Sequence, residues 1–116
     1  MIYRIAIALL FLSSCSSNEI GSVDEPDHLI SREKLTNVLV EMVKLEAYIE
    51  SEYKTVTVYS EVMKKSGDSL LKSYEITHKD YEENMEYYGA QHELMQNINS
   101  DVLDELTKEL GDLQSK

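Results

Sequence analysis

The sequence predicts an all-α protein, a small bundle of three to four helices set behind an N-terminal apolar leader and a polar tether. Three observations lead there. From Ser31 onward the apolar residues recur at intervals of three and four, and no stretch alternates long enough to make a half-buried strand. The one Pro of the 116-residue chain, Pro26, stands ahead of the periodic region and not inside it. The expected division is a cleaved leader over 1–14, a tether over 15–25, a helical domain over 26–110 and a frayed end over 111–116.

The leader comes first. Arg4 gives it a positive start, Ile5 to Leu12 is an uninterrupted run of eight apolar residues, and Ser13-Ser14-Cys15 closes it. Such a run is too short for the ~30 Å hydrocarbon core of a bilayer, which takes about 20 helical residues. Leu12-Ser13-Ser14-Cys15 resembles the bacterial lipobox, in which small residues precede a Cys that is lipidated and becomes the new N-terminus. The chain's only Cys occupies that place. Cys15 is therefore the expected lipidation site, and this covalent lipid is the only non-protein group expected. It would anchor the chain through more than one acyl chain, each buried CH2 adding about 0.8 kcal/mol.

Ser16 to Glu25 is small and polar with no hydrophobic period, as a flexible tether would be. Ten such residues reach roughly 17–19 Å as a coil. Ser16 stands where an Asp would resemble an inner-membrane retention signal. The acidic run that resembles a surface-export signal is reduced to Glu19. The expected address is thus the outer membrane, facing the periplasm.

The first helix is expected from Arg32 to about Tyr53. Ser31 is its natural cap, and Leu35, Val38, Leu39, Met42, Leu45, Ile49 and Tyr53 form one stripe. A second helix, about 57–74, carries Tyr59, Val62, Met63, Leu70 and Tyr74 in phase through Gly67. Lys65-Ser66-Gly67-Asp68 leaves open a turn that splits it. Thr77 and Asp80 make an approximate capping box, so a third helix should begin at His78, carry Tyr81, Met85 and Tyr88 inward, and end at Gly89 as a C′ residue. The last, about Gln91 to Leu110, presents Met95, Ile98, Val102, Leu106 and Leu110, with Leu103 widening the stripe.

Composition excludes several functions. With 22 Asp plus Glu against 11 Lys plus Arg, the net charge of −11 argues against nucleic-acid binding. One Cys rules out a disulfide scaffold or a Cys-rich zinc module. No nucleophile motif or Gly-rich phosphate loop is present, and Glu75-x-x-His78 straddles a helix cap, so no metal site is expected. Glu41 and Glu46 lie about 140° apart around one helix, poorly placed to converge on a substrate. The protein is expected not to be an enzyme.

In order, Pro26 with Leu29-Ile30, the stretch Leu39-Val40-Glu41-Met42-Val43-Lys44-Leu45-Glu46-Ala47, Leu70 to Thr77, and Tyr81 to Tyr88 form a pattern. It resembles the small Bacteroidota lipoproteins grouped as domain of unknown function 4296, over about residues 26–106. Glu41 and Glu46 match that family's acidic positions, and Tyr81, Tyr87-Tyr88, Ile98 and Val102-Leu103 match its later ones. Asn84 stands where the family pattern has a Ser, and Gly89-Ala90-Gln91-His92 replaces its Pro-containing approach to the last helix. The resemblance implies a small helical lipoprotein of the cell envelope.

Two kinds of candidate contact follow from the residues. Glu46 falls near the middle of the first helix's apolar stripe, where a carboxylate needs a hydrogen-bond donor or a cation. It is either a structural acid, bonded for instance to a Tyr hydroxyl, or the polar anchor of a small apolar or cationic ligand. Tyr74, Tyr81, Tyr87 and Tyr88 surround one turn and short helix and either fill a Trp-free core or face a partner, with Tyr87, Tyr88 and the acidic faces as its contacts. The expectation is a non-catalytic interaction or accessory module, tethered to the membrane by lipid, with an envelope protein partner or self-association. The alternative is a periplasmic carrier for a small ligand.

Overall fold

Ser31 turns the chain into its first helix: its side chain accepts a hydrogen bond from the Lys34 N–H at 3.2 Å, and Glu33 sits in the first turn. In this computed structural model residues 23–116 are described, and four helices follow one another. They are α1 (Arg32–Glu52), α2 (Val56–Ser73), α3 (His78–Gly89) and α4 (His92–Gln114). The fold is all-α, and no strand occurs among the described residues. The expectations for residues 1–14, for Cys15 and for most of the tether lie outside the described residues.

α2 runs unbroken through Gly67, which is buried against α1 with Met42 Sδ only 3.8 Å from where a Cβ would stand. The alternative turn at 65–68 does not form. α2 instead ends in a Schellman motif: the Ile76 N–H reaches the Leu71 carbonyl, and the Glu75 N–H reaches that of Lys72. Leu71 and Ile76, both in the core, provide the apolar contact that accompanies this motif. Glu75 takes the left-handed place, with φ of 59°. Gly89, expected as a left-handed C′ residue, is instead the last residue of α3, and no Gly of the described residues has positive φ. The link Ala90–Gln91 is so short that the helix ends without that motif.

Thr77 caps α3 through a 3.0 Å bond from the Asp80 N–H, as its sequence predicts. α4 continues through Gly111 to Gln114, four residues past its expected end. The expected fraying from Gly111 is thus corrected, because helical hydrogen bonding persists as far as the Ser115 N–H to the Gly111 carbonyl.

α1 is the central helix, packing on α2 along one side and on α4 along another. This explains why Val40, off the expected stripe, is buried. Arg32 pairs with Asp101 at 2.8 Å and Lys44 with Glu109 at 2.9 Å. Both pairings advance in the same direction, so α1 and α4 run parallel. Leu35, Val38, Leu71, Ile98 and Tyr88 meet in one core with Ile30 from ahead of α1.

Candidate functional site

The most completely bonded polar side chain of the fold is Asn84, which is wholly buried. Its Oδ1 accepts from the Ile30 N–H at 2.8 Å, and its Nδ2 donates to the carbonyls of His28 at 2.9 Å and Asp80 at 2.7 Å. One turn further along α3, the Tyr88 hydroxyl donates to the Ile30 carbonyl. One turn earlier, Asp80 Oδ1 meets His28 Nδ1 at 3.0 Å. Asp80, Asn84 and Tyr88 recur every four residues and so share one face of α3. Together they clamp residues 28–30, the strap by which the N-terminal segment enters the body, Asn84 and Tyr88 holding its main chain and Asp80 the His28 ring.

The electrostatics agree with this geometry. Asp80's hydrogen bond and charge hold the His28 imidazole above its ordinary pKa, and His28 and Thr77 hold the Asp80 carboxyl below its own. Burial, with lesser effects from Tyr87 and Glu25, raises the Tyr88 hydroxyl, which keeps its proton for the Ile30 carbonyl.

Of the predicted tyrosines, Tyr88 is buried in the clamp, and Tyr87 lies half-buried against it, ring centroids 5.4 Å apart in an edge-to-face arrangement. Tyr81 packs on the core, and burial raises its pKa. The core-filling alternative therefore describes these three, and a free aromatic patch does not. His28, just ahead of the first helix, is a clamp residue. Asn84 and His28 escaped notice as site residues. The available signal was a polar side chain on the inner face of α3, one turn from both Asp80 and Tyr88.

Glu46 is exposed, contrary to its place in the apolar stripe, while Ile49, closer to the α1–α2 turn, is buried. The Tyr59 hydroxyl donates to its Oε1 at 3.1 Å. Burial and then this carboxylate raise the Tyr59 pKa. Glu46, Glu50, Tyr53, Lys54 and Tyr59 line an open cleft of about 480 Å³ at that turn. Glu41 pairs instead with Lys44 at 2.7 Å. No cluster of three or more metal-ligating side chains occurs among the described residues.

Among the exposed apolar side chains, which include Tyr48 and Val56, three leucines share α4. Leu103, Leu106, Leu110 and Leu113 follow at intervals of three, four and three; Leu106 packs on the core, but Leu103, Leu110 and Leu113 are 64%, 56% and 71% exposed. Leu103 and Leu110 thus do not join the core stripe expected for them. No helix of the described residues is long and apolar enough to cross a membrane.

These features define a small all-helical domain whose entering strap is clamped on its third helix and whose last helix keeps an uncovered leucine face. The chain belongs to the family described as domain of unknown function (DUF4296), whose model matches residues 26–111. That match takes in the strap and Leu103, Leu106 and Leu110, and stops short of Leu113. No curated protein and no solved structure matches the chain.

Proposed function

We propose that the protein is a non-catalytic helical module, lipid-anchored at Cys15 in the outer membrane and facing the periplasm, which works by binding another envelope protein. The uncovered face of α4 carries this reading. Three large leucines in water on one side of a short chain are a cost that a partner's surface removes, whereas scattered single apolar residues would mean little. The Leu12-Ser13-Ser14-Cys15 pattern supports the anchor, and a Ser-rich tether that leads to a firmly held strap supports a body displayed near the membrane.

The test is co-purification of the tagged protein from its native envelope in detergent, with Cys15→Ser and the double variant Leu110→Glu, Leu113→Glu alongside. One stoichiometric protein, recovered with the wild type and lost with the double variant, is expected. Recovery of the chain alone contradicts the proposal.

The cleft beside Glu46 favours a second reading, a carrier for a small organic cation. Two carboxylates and two Tyr rings against the single cation Lys54 around one cleft suit an alkylammonium group. Calorimetry of the intact protein with tetramethylammonium, and of Glu46→Gln, tests it; no heat of binding rejects it.

A further inference from the structure

α3 is shorter than the helices it lies among. It has 12 residues against 21 in α1 and 23 in α4, or about 18 Å against about 31 and 34 Å. Each of the longer helices leaves apolar side chains in water in its distal half, although Ile49 of α1 stays buried there. On α1, Leu39 packs on the core and Val43, one turn later, is 43% exposed. On α4, Leu106 packs on the core while Leu110 and Leu113 stand out in water. The Lys44–Glu109 pair joins the two helices at this level. The core therefore continues onto the surface between the distal halves of α1 and α4.

The border of that surface is acidic. On a helical wheel Glu50 and Glu46 fall about 20° and 60° from Val43, and Glu109 about 60° from Leu106. Lys44 is already shared between Glu41 and Glu109. Lys108 lies about 160° around α4 from Leu110, on the far side. Two copies of this surface would bring like charges together in a chain that already carries −11.

We infer that this surface receives an amphipathic helix of a partner protein, one with an apolar seam flanked by Lys or Arg. The inference rests on the reading of the protein as an interaction module and names the partner's chemistry. The seam lies along Val43 of α1 and along Leu110 and Leu113, three residues apart on α4, a face of the kind that receives a helix in a groove. A flanking Lys or Arg enters the cleft of Glu46, Glu50, Tyr53 and Tyr59, where carboxylates pair with the cation and the rings offer their faces.

The experiment is photo-crosslinking of the full-length protein in its native envelope. Benzoylphenylalanine replaces Leu110 in one variant, Leu113 in a second and Lys79, on exposed α3 surface, in a control; the crosslinked peptide is sequenced by mass spectrometry. The expected adduct, from 110 and 113 but not from 79, is a helical segment with apolar residues three and four apart and flanking Lys or Arg. Its yield falls about fivefold or more when Glu46→Gln and Glu50→Gln are combined. An adduct with an acidic or non-helical segment, or with a second copy of this chain, overturns the inference and leaves the interaction reading standing. A partner that still co-purifies while 110 and 113 give no protein adduct overturns the assigned surface. No adduct together with failed co-purification overturns both.

Discussion

Asn84 and Ile30 are joined by a 2.8 Å hydrogen bond that no water reaches: the side chain is wholly buried, and Ile30 is 5% exposed. Truncating Asn84 strands the buried Ile30 N–H, at about 1–3 kcal/mol, and takes a donor from the part-buried carbonyls of His28 and Asp80. Asn84→Ala should therefore lower stability by about 2–4 kcal/mol, read as an earlier urea midpoint. Tyr88→Phe removes a single bond and should cost about 1 kcal/mol. An unchanged midpoint for Asn84→Ala would refute the clamp.

The four helices were legible because their signals are local: a Ser31 cap, a Thr77 capping box and apolar spacing that survives Gly67. The clamp was not, since Asn84 and Ile30 are 54 residues apart and their pairing depends on how α3 packs. The pattern that resembles the family drew attention to Asn84 as a departure from Ser, but only the fold gives the amide its three partners. Glu46 departs from its stripe for a related reason: Ile49, one turn on, is buried, and which part of an apolar stripe the other helices cover depends on how they pack.

Glu75 holds the left-handed place that Gly usually takes after a helix. A side chain there costs roughly 1–2 kcal/mol, against about 0.5–1 kcal/mol of extra chain entropy lost by a Gly on folding. Glu75→Gly should stabilise by up to about 1 kcal/mol, whereas Glu75→Val should destabilise. Thermal unfolding of the pair of variants decides it, and a lower Tm for Gly than for Glu contradicts the assignment.

At Gly67 the φ is ordinary and a Cβ would meet Met42 Sδ at 3.8 Å, a normal contact. The site borders a small cleft between Met42, Met63, Leu71 and Tyr81. Gly67→Ala should thus gain about 1 kcal/mol from helix propensity without overpacking. Loss of stability would show that α1 and α2 approach more closely than this.

The exposed His28–Asp80 pair gives a modest pH dependence of definite sign. A His whose pKa is raised by folding stabilises fully below about pH 6.5 and loses that contribution as pH rises through the folded value. Asp80, lowered, contributes above about pH 3.9 and loses it as pH falls through its own folded value. The Tm difference between wild type and His28→Gln should accordingly be largest near pH 5–6 and shrink as pH rises past 6.5 through the raised folded value. A difference that grows with pH is incompatible with this pairing.

Tyr87 and Leu113 separate folding from binding. Tyr87 is half-buried against Tyr88, so Tyr87→Ala should cost about 1–3 kcal/mol and lower the Tm. Leu113, 71% exposed near the end of α4, has little to lose, and Leu113→Glu should stay within about 0.5 kcal/mol of wild type. On the proposed surface the order reverses for binding: Leu113→Glu removes apolar contact and abolishes co-purification from a fully folded protein. Melting curves and pull-downs on the same two preparations test both halves. A folded Leu113→Glu protein that retains its partner would move the interface off α4.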